Sequence, residues 1–219
     1  MILIIKGHSF RFEIENICRL FVPQEKIVVT DSPDIEGSGG ESMAALTSLE
    51  ESGKDILMTA GLKQGGRWEY LKEQVSSNLD KNELERRLAL LLYRLFAKLL
   101  KFTLPWGAVT GVRPVKLMRK LAASQGEAAA INLFREGLLV SKDKVDLCLQ
   151  TLGVENEILS RSLPNSFSLY ISIPFCPTRC DYCSFVSHTV ERAAKLIPEY
   201  VERLCEEIEY TGRLSKQIG

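Results

Sequence analysis

Three cysteines packed into one short stretch, Cys176, Cys180 and Cys183, constrain this chain more than any other feature. They stand in Tyr170-Ile-Ser-Ile-Pro-Phe-Cys-Pro-Thr-Arg-Cys-Asp-Tyr-Cys-Ser-Phe185 with the spacing C-x3-C-x2-C. The apolar run from Phe167 to Ile173 reads as a buried strand, closed by Pro174. Beyond the cysteines, Pro198 starts a helix with Val201, Leu204, Cys205 and Ile208 on one face. Whatever fold forms must therefore carry three soft donors at the C-terminal end of a strand. Parallel α/β barrels place their active sites at that end, and the three segments read as the first β/α unit of such a barrel.

The spacing alone leaves the metal open. Zinc takes four protein ligands in a structural site, and His188, five residues past Cys183, would complete a Cys3His set. An iron–sulfur cube held by three cysteines keeps one iron free for a substrate or cofactor. Three unliganded thiols are the bland alternative. Composition favours a metal or chemistry over disulfides. The longest uninterrupted apolar run, Leu88–Tyr93, is far too short to span a bilayer, and Met1–Lys6 is too short for a signal segment. These features point to a cytoplasmic address, where thiols stay reduced. Lys plus Arg equals Asp plus Glu at 28 each, so no global field recruits nucleic acid or an anionic membrane.

Ahead of the cysteines, the β-branched run 2–6 reads as a strand, with His8-Ser9 as a possible helix start. Phe10, Ile14, Ile17, Cys18 and Phe21 recur at helical spacing, and Ile27-Val28-Val29 reads as a second strand. Residues 31–42 read as a loop. Two β-like runs flank a hairpin turn at Glu50–Asp55, for a small β-α-β-β unit. Asp80 with Glu83 is a capping-box variant that opens a long helix carrying Leu84, Leu88, Leu91, Leu92, Leu95, Phe96 and Leu99. Its leucine stripe reads as core packing or a dimer face. Shorter helices are expected across 114–123, with Pro114 first, then 127–136 and 141–161. The last has a Ser141 cap and a possible break at Gly153. The chain thus reads as α/β, with a small α+β region (1–80), a helical region (81–163) and the start of a barrel (164–219). The boundary falls at Leu163–Ser166.

The stretch Tyr170–Phe185, with Cys176, Cys180, Tyr182 and Cys183, resembles the radical S-adenosylmethionine enzymes. Within them it is similar to the oxygen-independent coproporphyrinogen III oxidase (coproporphyrinogen dehydrogenase) group. Trp106-Gly-Ala-Val-Thr-Gly-Val-Arg-Pro-Val-Lys-Leu117 is similar to a segment of one branch of that group, which has an extra region before its barrel. The resemblance implies that Cys176, Cys180 and Cys183 hold a 4Fe–4S cluster whose free iron binds S-adenosylmethionine. It implies Tyr170 and Tyr182 as contacts of the cofactor, and an electron donor as partner. The implied reaction is oxidative decarboxylation of coproporphyrinogen III propionates to vinyl groups, in haem biosynthesis, through a radical derived from the cofactor. Ser172 stands where the best-known members carry histidine, and Phe185 where a further cysteine can occur. Phe185 is shared with haem-binding chaperones of the superfamily, which stand beside a zinc module as the alternative function.

The remaining candidates have plainer readings. Cys18, Cys148 and Cys205 fall on apolar helix faces and are expected to be buried and inert. Gly111, Arg113 and Lys116 lie at a helix start that could take an anion, although a turn glycine with solvated basic residues is the simpler reading. A full eightfold barrel takes about 250 residues. The glycine-rich segment that the family uses after its second strand is not in the sequence. The chain therefore reads as an N-terminal fragment, inactive on its own.

Overall fold

The β-branched N-terminal run forms the first strand, β1 (Ile2–Lys6), in the computed structural model of the chain, which describes residues 1–31, 43–111, 113–163 and 166–218. Helix α1 (Arg11–Phe21) follows and buries Ile14, Ile17, Cys18 and Phe21, the stripe that the spacing predicts. Its entry is fixed by His8, whose Nδ1 accepts the Phe10 N–H at 3.2 Å. That leaves Nε2 to donate to the buried Thr47 hydroxyl at 3.1 Å. The chain returns as β2 (Val28–Thr30), parallel to β1. Most of the loop expected at 31–42 lies outside the described residues, as do Val112 and, within the expected boundary, Pro164 and Asn165.

Three antiparallel strands complete the sheet: β3 (Ala44–Ser52), β4 (Asp55–Gln64) and β5 (Arg67–Ser76). The order is β2-β1-β3-β4-β5, with β3 parallel to β1, so the sheet is mixed. The first hairpin turns at Gly53-Lys54, within the expected turn. The β-α-β-β reading is short of strands, because β5 follows a second hairpin. Gly65 and Gly66 form its two-residue turn, both with positive φ, as a type I′ turn requires. β5 escapes a hydrophobicity count because it is an edge strand whose exposed positions carry Arg67, Tyr70, Lys72 and Gln74.

Helix α2 (Lys81–Leu100) packs on β4 and β5 and against α1. Asp80 caps it, accepting the N–H groups of Asn82 at 2.9 Å and Glu83 at 3.0 Å. The reciprocal half of the capping box is not used. Glu83 turns instead to Arg86, at 2.6 and 2.7 Å, and to Arg87, at 2.7 Å. The expected leucine stripe is buried from Leu84 to Phe96, with Leu99 half-buried at its end. In addition every residue from Leu88 to Tyr93 is buried, so the middle of α2 is covered on all sides. Its stripe is core, and the dimer-face alternative is set aside by that burial.

A second apolar cluster lies among α3 (Pro114–Gln125), α4 (Glu127–Asn132), a π-helical turn at Leu133–Gly137, and α5 (Lys142–Ser160). It centres on Met118, Phe134, Val145 and Cys148. Pro114 is the first helical residue of α3, and the Ser141 hydroxyl accepts the Lys144 N–H at 3.4 Å. Gly153 does not break α5. It is exposed with open space around it, and the buried Cys148 and Leu152 hold the helix through a cost of about 1 kcal/mol. Segment 104–110 joins the two clusters. The Tyr93 hydroxyl accepts the Leu104 N–H at 3.0 Å, and Ala108 N–H donates to the Leu138 carbonyl at 2.8 Å.

The chain divides into two compact units, Met1–Glu155 and Asn156–Gly219. The second contains β6 (Phe175–Cys176), β7 (His188–Thr189), α6 (Val190–Ala193), a 3-10 turn at Ala194–Leu196, and α7 (Ile197–Ile218). The buried strand expected at Phe167–Ile173 is not formed. No strand is assigned there, and Phe167 is 62% exposed. An apolar strand is buried only between paired neighbours, and none pairs with these residues among those described. Helix α7 forms as expected, yet Val201 and Ile208 on its apolar face are exposed.

Two outcomes test this account. Gly107 has φ of +55°, and a Cβ placed there would lie 2.1 Å from the Leu138 carbonyl oxygen. Gly107→Ala should cost about 3 kcal/mol or more in a urea unfolding experiment, from left-handed strain plus overpacking. The second concerns Glu83, whose carboxyl is held down at about 2, below the usual 4.5, first by the Arg86 hydrogen bond and then by Arg87. An acid with a depressed folded value stabilises the fold above its unfolded value, and loses that contribution as pH falls through 4.5 towards 2. Glu83→Gln should lower stability at pH 7 by on the order of 1 kcal/mol after solvent screening, and the gap should close near pH 2.

Candidate metal centre

The cysteine loop is closed at its neck by backbone pairing. β6 and β7 run parallel, with Phe175 opposite His188 and Cys176 opposite Thr189. The His188 N–H donates to the Pro174 carbonyl at 2.8 Å, just outside that pairing. Residues 177–187 thus form a loop whose two ends are tied together, which brings Cys176 to the neck and leaves Cys180 and Cys183 on the loop. Between the latter two, the Cys183 N–H donates to the Cys180 carbonyl at 3.0 Å, closing a tight turn. α7 braces the approach. The Tyr200 ring meets Phe175 edge-on, with centroids 5.2 Å apart, and its hydroxyl donates to the Ser172 carbonyl.

All three cysteines are free thiols. Cys180 is exposed, while Cys176 and Cys183 are half-buried. This donor set suits a soft metal or an iron–sulfur centre: three thiols on one loop, reachable from solvent and bound in no disulfide. Among the described residues, however, no three His, Cys, Asp or Glu side chains are gathered closely enough to hold a metal ion. The loop carries the three thiols and ties its own neck without, among the described residues, gathering them into such a group.

The pairing also bears on the Cys3His alternative. Paired residues of two strands share a face of the ribbon, and successive residues alternate between faces. His188 therefore shares a face with Phe175, and Cys176 with Thr189, so His188 and Cys176 stand on opposite faces of the pairing. Tyr170 is 78% exposed and Tyr182 89%, so neither is the core aromatic that a buried strand would have made of it.

The other cysteines divide. Cys18 is fully buried, and burial pushes its thiol up to about 12; Cys148 is also buried and its thiol is raised for the same reason. Both are inert, as expected. Cys205 is the correction: it is exposed, because nothing among the described residues covers that part of the α7 face. Gly111, Arg113 and Lys116 are all exposed around the start of α3, as solvated groups at a turn.

Sequence reasoning passed over Glu13. This half-buried residue of α1 accepts the Thr110 hydroxyl on both carboxylate oxygens, at 3.0 and 3.1 Å, across a separation of 97 residues. Burial, and then the charge of Glu85, push its carboxyl above the usual carboxylate range, against a lowering by Thr110. No local pattern marks such a residue. Only a glutamate beside the apolar stripe of α1 hints that it faces something other than water.

No helix among the described residues is long and apolar enough to cross a membrane. No protein-family profile matches the chain. A solved structure titled "Crystal structure of uncharacterized protein" aligns over 46% of this chain and 90% of its own, at 10% identity and a TM-score of 0.22, too low to bear on the fold. A curated relative carries more. The oxygen-independent coproporphyrinogen-III oxidase-like protein HemZ of Bacillus subtilis (strain 168) is 24% identical over 221 aligned positions. The match takes in 93% of this chain and spans 41% of the relative's length. It extends far beyond the cysteine loop, through both compact units. Over nearly its whole length, then, this chain is similar to an oxygen-independent coproporphyrinogen-III oxidase-like protein, of the group that its cysteine stretch and its Trp106–Leu117 segment resemble.

Proposed function

We propose that this chain carries the cluster-binding segment of a radical S-adenosylmethionine oxidoreductase of the coproporphyrinogen oxidase type, with Cys176, Cys180 and Cys183 as the ligands of a 4Fe–4S cluster. The observation that carries the reading is the three free thiols on one neck-closed loop, in a chain similar to an oxidase-like protein over most of its length. The substrate class is a porphyrinogen bearing propionates, the second cofactor is S-adenosylmethionine, and an external donor supplies electrons. The reading places the protein in the cytoplasm. The loop is the opening of a barrel-type active site, as the resemblance implies.

When bound, the cluster with S-adenosylmethionine supplies the hydrogen-abstracting chemistry. The work of this chain is to hold and orient. The β6–β7 pairing fixes Cys176, while the turn between Cys180 and Cys183 leaves the other two thiols free to converge on a common centre. Tyr182, on the loop, and Tyr170, on the approach, present exposed rings for contact with the adenosyl cofactor. Tyr200 anchors the approach through Ser172 and Phe175. The placement of His188 on the opposite face of the pairing from Cys176 favours three sulfur ligands over a Cys3His zinc set.

Anaerobic reconstitution with iron and sulfide tests this directly. The loaded chain should be brown, with thiolate-to-iron absorption that Cys176→Ala abolishes and His188→Ala leaves in place. A colourless protein holding stoichiometric zinc, lost in His188→Ala, would sink the assignment. Alkylation gives a second readout that needs no activity. Before loading, Cys176, Cys180, Cys183 and Cys205 should react and the buried Cys18 and Cys148 should not. After loading, the first three should become protected while Cys205 still reacts.

A further inference from the structure

The first unit holds a feature that the cysteine loop does not use. Two adjoining cavities, of about 120 and 150 Å³, share Glu13, Ala108 and Leu138 in their walls. The first is completed by Asn82, Glu85, Arg86, Ala89 and Leu90, the second by Val109, Pro114 and Leu117 among others. The result is a small, mostly apolar slot with a half-buried carboxylate at its centre and a second carboxylate, Glu85, on one wall.

Glu13 has no ion pair among the described residues, and its one hydrogen-bond partner there is the Thr110 hydroxyl. The neighbouring cations are engaged elsewhere or stand at the rim. Arg86 lines the slot, but its three nitrogens go to Glu83 and to the Gly137 carbonyl. Lys81 lies over the Phe10 ring, 5.9 Å from its centroid, and Arg113 is exposed at the far end. A carboxylate taken part-way out of water beside a like charge is costly unless a cation joins it.

We propose that this slot binds a small primary amine, an ammonium group on a short aliphatic stem. An ammonium has three donors and no acceptor. The carboxylates of Glu13, from α1, and Glu85, from α2, provide acceptors, and Ala89, Leu90, Ala108 and Leu138 provide the apolar bed for the stem. A metal ion suits the site poorly: two carboxylates are too few hard ligands for calcium, and the walls are apolar.

The test is a titration of the ¹⁵N-labelled chain with n-butylammonium, followed by amide chemical shifts. The amides of Asn82, Ala108 and Thr110 should move saturably, and n-butanol, which has the same stem without the charge, should not move them. Glu13→Gln should weaken binding about tenfold or more, the loss of one charge-assisted hydrogen bond. Glu85→Gln should weaken it in the same direction, and serves alone if Glu13→Gln does not fold. Absence of a saturable shift, equal binding of n-butanol, or undiminished binding in a folded variant would each overturn the proposal. None of these outcomes depends on whether the cysteine loop holds a cluster.

Discussion

Burial of α2 on all sides is the constraint from which the first unit follows. Six consecutive residues, Leu88 to Tyr93, are buried, together with Leu95 and Phe96. A helix with one apolar stripe needs one partner, whereas a helix covered all round needs two. The mixed sheet and α1 supply one side. Segment 104–110 supplies part of the other, drawn in by the Tyr93 hydroxyl on Leu104 and by backbone bonding of Ala108 to Leu138. At 1.5–3 kcal/mol for each large apolar side chain, roughly, this burial outweighs any single polar contact in the unit.

Polar contacts then decide registration. Glu83 holds Arg86 and Arg87, and those arginines reach outward, Arg86 to the Gly137 carbonyl and Arg87 to Glu73 of β5. The start of α2 is thereby tied both to the edge strand and to the π-helical turn. Glu13 and Thr110 make a comparable link between α1 and the segment leading to α3. It differs in one respect: the Glu83 carboxylate is matched by two guanidinium groups, while Glu13 faces a hydroxyl and another carboxylate. The same carboxylic acid is thus pulled down at one site and pushed up at the other, and the second is where the fold leaves room for a ligand.

The second unit is organised differently. Its apolar positions fall by pattern in a strand and on a helix face, yet Phe167, Val201 and Ile208 are all exposed. The short β6–β7 pairing, with Tyr200 against Phe175 and Ser172, holds the loop by its backbone rather than by a core. Such a scaffold can present three thiols without fixing their mutual distance. Metal binding commonly completes the ordering of a site of this kind, since the bonds to the metal contribute folding free energy.

Local rules read from the sequence settled much of the first unit. The β-branched run of β1, the stripe of α1, the Asp80 cap, Pro114 at the start of α3 and the Ser141 cap each need only neighbours within a few residues, so each could be placed from pattern. The identity of the three thiols was legible for the same reason, as was the resemblance they carry. What the sequence left undecided depends on partners far along the chain. β5 is a strand because β4 pairs with it, although its exposed positions are polar. Gly153 stays helical because Cys148 and Leu152 are buried against other helices. Phe167–Ile173 is no strand because none of the described strands lies beside it, and Cys205 is exposed because nothing described covers its face. Glu13 shows the limit most plainly. Its sequence neighbours make it an ordinary helical glutamate, and only folding, which brings Thr110 and Glu85 to it from distant positions, gives it an environment that calls for a cation.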